Sequence, residues 1–186
     1  KGSTATCTLG FEGTFGGGAI NGFVLPINTF SVRSQRALNT PNTLTGSRNP
    51  VEPFAGNLSV AGNIVVPVDS AALAYWLTAI FGEPASTGGP AYVHEWKIPS
   101  EQPSVVLERA FTDLATDKYD RLVGCKISSL AITVGGDGEL VATIGVMGKS
   151  DSLESSSFDA SPTTVTLARL NNFQAAIPEN GVALTN

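Results

Sequence analysis

Histidine, cysteine and charge are all scarce in this chain of 186 residues, and each scarcity excludes a class of function. The single histidine, His94, stands between Val93 and Glu95 in an alternating stretch that reads as a strand. A Ser–His–acid triad would have to use it, and no nucleophile-elbow sequence accompanies it. Zinc needs three or four nitrogen, sulfur or carboxylate ligands, and His94, Cys7 and Cys125 share no short ligand spacing. No catalytic, cofactor-binding or metal-ligating residue is expected, and the chain reads as non-enzymatic. Two distant cysteines make no disulfide framework. Pairing is open to them, but the plainer expectation is two free, mostly buried small side chains. Long apolar runs are missing too. The longest, 71–81, is broken by Thr78 and followed by Gly82, well short of the ~20 residues that span a bilayer, so no membrane anchor is expected. The polar start Lys1-Gly2-Ser3-Thr4 has no signal-peptide core. It also lacks Met, which fits a processed or trimmed start, and no closing element precedes Asn186, which leaves a continuation open.

Charged residues make up 15% of the chain, where soluble domains typically carry about 25%. Low charge without a membrane span suggests a surface that partners cover. Eleven Lys and Arg stand against sixteen Asp and Glu, for a formal net charge of −5. Residues 1–100 balance at five and five, so 101–186 hold the whole acidic excess. A protein gripping nucleic acid by its phosphates needs the opposite sign. An acidic field suits a surface along which a polyanion moves without sticking.

Glycine, present at twenty positions, is concentrated near the start. Gly10, Gly13, Gly16, Gly17, Gly18 and Gly22 alternate with Leu9, Phe11, Phe15, Ile20 and Phe23, which predicts extended chain with turns, or an arm docking by its aromatics. From 26 to 56 periodicity fades among Pro26, Pro41, Pro50 and Pro53, and a long contact loop is expected there. Residues 57–66 (NLSVAGNIVV) read as a strand interrupted at Gly62. Asp69 or Ser70 then caps a helix over 70–81 whose apolar stripe is Leu73, Trp76, Leu77, Ile80 and Phe81, ended by Gly82 and Pro84. Strands are expected at 91–98, 104–111, 123–134, 139–147 and 164–170, with two short ones within 173–184. The hairpin 123–147 is the clearest feature. Its second arm alternates with Leu140, Ala142, Ile144 and Val146 on one face, and a parity change between Ile127 and Leu130 predicts a bulge near Ser128-Ser129.

Two further motifs test poorly as chemistry. The run Gly10-Phe11-Glu12-Gly13-Thr14-Phe15-Gly16-Gly17-Gly18 looks superficially like a phosphate loop, but it lacks the Gly-Lys-Ser/Thr ending and no helix pattern follows. Sixteen acids offer many pairs for a glycosidase, yet Asp113, Asp117, Asp120, Asp137, Glu139, Asp151 and Glu154 sit beside turns, where solvated side chains are the simpler reading.

Several of these strings, in order, resemble the tail tube subunits of tailed bacteriophages. Gly10-Phe11-Glu12-Gly13-Thr14-Phe15-Gly16 resembles that family's G-x-E-x-T-x-G start, and Leu77 to Gly82 its single helix ending in glycine. Ser104-Val105-Val106-Leu107-Glu108-Arg109-Ala110-Phe111 resembles its S-x-x-L-E-x-x-F strand. Tyr119, then Gly124-Cys125-Lys126-Ile127-Ser128-Ser129-Leu130, then Asp137 to Ala142 and Gly148-Lys149, resemble its closing hairpin, with Ser128-Ser129 where Asn-Ser is more usual.

The resemblance implies a mainly β fold, a β-sandwich or half-barrel with one flanking α-helix and long extended arms. It divides the chain into an N-terminal arm at 1–25, a contact loop at 26–56 and a β core at 57–186. It implies self-association into stacked, hexameric rings that meet other tail proteins, a lumen through which DNA passes without specific binding, and a place in the virion tail after assembly in the host cytoplasm. Ring-to-ring contact is expected from 26–56, inter-subunit docking from 1–25, and the acidic excess on the lumen-side sheet. The alternative is a β-sandwich adhesin or carbohydrate-binding module, which wants exposed aromatics that two Trp and three Tyr supply thinly. An acid-pair hydrolase is a third option.

Overall fold

Apolar–polar alternation punctuated by glycine builds nearly all of the computed structural model, which describes residues 5–49, 51–90, 92–135, 138–172, 178–179 and 182–183. The strands are β1 (Thr6–Phe11), β2 (Phe23–Leu25), β3 (Thr29–Phe30), β4 (Arg33–Asn39), β5 (Phe54–Pro67), β6 (Ala85–Thr87), β7 (Val93–Glu95), β8 (Val105–Phe111), β9 (Lys118–Thr133), β10 (Val141–Gly148), β11 (Ser150–Glu154), β12 (Thr163–Thr164), β13 (Pro178–Glu179) and β14 (Val182–Ala183). One helix, α1 (Ala72–Phe81), lies between β5 and β6. Ten strands form one sheet in the order β12-β2-β1-β8-β9-β10-β5-β3, with β11 added on β9 and β4 on β5. The sheet is open. β6–β7 and β13–β14 are separate two-stranded ribbons.

β9 joins the two halves of this sheet. Its first half pairs with β8 on one side and β11 on the other, and its second half pairs with β10. β10 and β11 follow one another along the same side of β9, separated at Lys149, whose N–H donates to the Val123 carbonyl at 3.0 Å. Two irregularities let one strand serve both halves. Gly124 takes φ 62°, a left-handed conformation that side chains resist. Farther on, Gly145 faces Ser129 while Val146 faces Ile127, so Ser128 is skipped. This is the bulge that the sequence parity predicts. Opposite it stands Gly145, where an added Cβ would lie 2.8 Å from the Ser128 Oγ and would require the serine hydroxyls there to rotate away.

The alternation in β10 sets the core. Ala142, Ile144 and Val146 are buried with Ile64, Val66, Leu122 and Ile127, while Met147, on the other parity, is 60% exposed. α1 covers this buried face with Ala72, Trp76 and Ala79, flanked by half-buried Leu73, Tyr75 and Ile80. Trp76 is fully enclosed, and truncating such a side chain costs about 3–5 kcal/mol. The Gly82 N–H donates to the Thr78 carbonyl at 2.8 Å and ends the helix where expected.

The start of α1 rests on Asp69. Its Oδ1 accepts from the Ala71 and Ala72 N–H groups, each at 2.7 Å, and its Oδ2 accepts from the Ala168 N–H. The carboxylate therefore caps the helix and fastens the returning chain, which also bridges to this point through Arg169. Burial pushes the Asp69 carboxyl up, but donation from Ala72, Ala71 and Ala168 outweighs it and holds the group below the ordinary carboxylate value.

Several segments differ from the sequence expectation. The glycine-rich opening enters the middle of the sheet, where β1 pairs with β8 and β2 and buries Cys7, Thr8 and Leu9. Within 26–56, β4 pairs with β5 along most of its length, so alternation too weak to read in sequence is imposed by a strong partner strand. Gly62 does not interrupt β5. It admits the crossing chain, since a Cβ there would sit 2.6 Å from the Ser31 carbonyl oxygen. The strand expected at 91–98 shrinks to β7, and that at 164–170 to β12 plus an isolated bridge. The two short strands expected in 173–184 are β13 and β14, while Gly136 and Asp137 of the hairpin turn lie outside the described residues.

Replacing Asp69 with alanine orphans three N–H groups and should lower stability by about 2–3 kcal/mol in urea melts at pH 7. A carboxyl lowered in the folded state stabilises above its unfolded value of about 3.9 and loses that contribution as pH falls through its folded value. The difference between wild type and Asp69→Ala should therefore shrink in melts taken at progressively more acid pH.

Candidate assembly interface

The open sheet leaves strand edges without partners. The last β8–β9 pair is Val105 with Cys125, and beyond it β9 pairs only with β10. Gln102 Nε2 donates to the Ile127 carbonyl at 2.8 Å and occupies the first vacant position. On that side of residues 128–133 no strand follows among the described residues. At the opposite margin β4 pairs with β5 alone, and its outer edge is likewise bare. Bare edges of this length are templates for pairing with another chain.

One of these edges belongs to a projecting arm. β10 ends against Val60, whereas β5 continues back to Phe54 with only β4 beside it. Residues 40–53 join the two strands at the tip. Apolar side chains point into solvent along this arm: Leu38 is 70% exposed, Leu44 99% and Phe54 56%. A free-standing two-stranded ribbon with exposed leucine and phenylalanine has the makeup of a contact surface.

Between the two edges, the face of β5, β10 and β9 turned away from the core has nothing packed over its middle. Register places Ala61, Asn63, Val65, Thr143, Met147, Lys126, Ala131 and Thr133 on it, continued by Arg33 and Gln35 of β4. These side chains are small or uncharged apart from two cations, and no acid lies among them. Four acids of 101–186 lie off this face. Glu108 is buried, Asp120 pairs with Arg109, Glu139 pairs with Arg169, and Asp151 accepts from the Ser34 hydroxyl at 2.6 Å. These acids serve as anchors between segments, and that use drew them off the open face.

Two carboxylates fix the segments that surround these surfaces. Glu12 Oε2 accepts from the Gly16 N–H at 2.8 Å and its Oε1 from the Gly124 N–H at 2.9 Å. The glycine-rich run thus spends its amide on a carboxylate of its own, which leaves a negative charge where a phosphate would sit. Glu108, with no exposed surface, receives Arg121 Nε at 2.9 Å, the Ser157 hydroxyl at 2.5 Å and the Phe158 N–H at 3.2 Å. It holds residues 155–159 against the outer side of the sheet. Both glutamates stand in recognisable strings, but no sequence signal names their partners, which lie far along the chain.

His94 is exposed on β7, where its Nδ1 lies 2.8 Å from the Ser86 hydroxyl. Both cysteines are free and buried. Burial pushes the Cys7 thiol up to about 12 against the pull of Arg109, and burial with the nearby Glu12 charge raises Cys125 to about 12. Among the described residues no three His, Cys, Asp or Glu side chains are grouped to hold a metal ion.

The family described as phage tail tube protein matches residues 2–186. No curated protein matches the sequence closely enough to count as a relative. Among solved structures, the SPP1 tail tube is similar at a TM-score of 0.53 and 10% identity, over 84% of this chain and 79% of that one. Weaker likenesses are the sheath–tube complex of PVC, an extracellular contractile injection system (TM-score 0.45, 10% identity, 82% and 88% covered), and the anti-feeding prophage baseplate (0.49, 9%, 81% and 92%).

Both thiols should stay silent toward an aromatic disulfide reagent at pH 8 while the chain is folded, and both should react on unfolding in guanidinium. Rapid labelling of either one in native protein would contradict their burial.

Proposed function

The chain belongs to the phage tail tube protein family, a structural subunit of the tail, and from that premise we propose that it closes into hexameric rings by edge pairing. The carrying observation is that, among the described residues, the half-sheet of β9, β10, β5 and β4 is unpaired along β4 on one side and along residues 128–133 of β9 on the other. Joining the β4 edge of one copy to the β9 edge of the next satisfies both backbones and continues the sheet around a ring. Such a contact is head-to-tail and closes by rotation, and repetition along the axis stacks rings into a tube.

The open face of β5, β10 and β9 then lines the lumen. Its short, mostly neutral side chains let DNA pass without a fixed grip. The projecting arm within 26–56 reaches the adjacent ring, and the loop after β1, with Phe15 and Ile20 outward, docks between neighbours in a ring. The end rings meet other tail proteins. The finished tube resides in the virion after assembly in the host cytoplasm. A second reading, carbohydrate recognition, draws on Tyr92, His94 and Trp96, whose rings follow one another at 6.4 and 6.0 Å. Glycan binding by protein that never oligomerises would favour it.

Negative-stain microscopy and mass photometry of concentrated protein should show rings or tubes with six-fold end views. Strictly monomeric protein would overturn this reading. Ala131→Lys with Thr133→Lys charges the β9 edge on exposed positions, so the monomer should keep its stability within about 0.5 kcal/mol while ring closure is lost.

A further inference from the structure

The arm differs from the rest of the chain in the sign of its charge. Residues 26–56 carry Arg33, Arg36 and Arg48 against one acid, Glu52, so the segment is +2 in a chain of −5 and everything outside it is −7. All three arginines are exposed. The other three arginines are committed within the chain: Arg109 to Asp120 at 2.7 Å, Arg121 to Glu108 at 2.9 Å and Arg169 to Glu139 at 2.7 Å. Arg33, Arg36 and Arg48 form no ion pair among the described residues. At the root of the arm a cleft of about 680 Å³ brings Arg33 together with Arg109, Gln35, Phe30 and Gly62, so two guanidiniums share it and Asp120 neutralises only one.

We infer that the arm is a cationic finger that docks on the acidic surface of a second copy of this chain, its guanidiniums receiving carboxylates from that copy. Charge complementarity selects the occupant: the chain outside the arm is net acidic and exposes Glu83, Glu101 and Asp117, and the arm's exposed leucines and phenylalanine provide the apolar contact that phosphate would leave bare. Guanidinium is suited to this because its planar fork takes a carboxylate by two parallel bonds. The inference rests on the self-association proposed above and assigns the chemistry of its arm contact. It makes arm docking salt-sensitive, whereas edge pairing through backbone hydrogen bonds is much less so.

The test compares wild type with Arg33→Glu/Arg36→Glu/Arg48→Glu and with Arg33→Lys/Arg36→Lys/Arg48→Lys, each first shown by circular dichroism to fold. Light scattering then gives the protein concentration at which assembly begins, in low and high salt. The glutamate variant should raise that concentration by about tenfold or more at low salt and reverse the salt dependence, because salt then screens a repulsion, while the lysine variant should shift it by only about twofold to threefold. Arg48→Glu alone lies in the loop, outside every strand pairing, and should raise it by about threefold even if the triple variant misfolds. If wild type assembles and the glutamate variants assemble equally well with the same salt response, the finger has no electrostatic role. Tight binding of wild-type monomer to duplex DNA through these arginines would also overturn it, since the partner would then be phosphate. Failure of wild type to assemble at all strikes instead at the tube reading.

Discussion

One strand has to serve two half-sheets, and the rest of the molecule is arranged around that demand. β9 can pair with β8 and β11 at one end and β10 at the other only by turning partway along its length. Gly124 supplies a left-handed residue, and the skip at Ser128 adds local twist. The turn is held from outside: the Gly124 N–H has Glu12 as its acceptor, so the loop after β1 is tied to the bend in β9. Because β8 stops where β9 turns, the far half of β9 keeps an unpaired edge. The bend and the vacant edge are therefore one feature.

The legible parts of this fold are those where a local pattern and the tertiary environment agree. β10 alternates cleanly because one face packs on α1 and the other on nothing, and the bulge at Ser128 showed as a change of parity. The helix showed for the same reason. β1 and β4 were not legible. β1 lies in the sheet centre with both faces covered, so the alternation that marks a half-exposed strand is absent, and its glycines look like turns. β4 reads RSQRALN because a strand paired on one side over a projecting arm has no buried face to encode.

Charge was harder to read than strand order. Total acidity placed the excess correctly in 101–186, yet composition does not say which carboxylates serve the fold. Glu108 and Asp120 are paired with arginines of neighbouring strands, and Asp159 accepts from the Gly22 and Ser161 N–H groups. Carboxylates that satisfy several donors each are the means by which a low-charge chain fastens long irregular segments to a sheet. Removing these internal pairs leaves the net charge of each part unchanged, so the exposed arginines of 26–56 stand against a remainder that is still net acidic.

The central place of β1 has a bearing on synthesis. Leu9 faces Leu107, so β1 leaves the ribosome well before its main partner β8 exists. A translating ribosome adds about 5–20 residues each second, so this strand spends several seconds as a glycine-rich, mostly apolar tether with no sheet to join. Gly10 within β1, and the glycines that follow the strand, weaken the tendency of this segment to pair prematurely with the same segment of another nascent chain. The core closes around β1 only once β8 has emerged, and the unpaired edge of β9 arises after that.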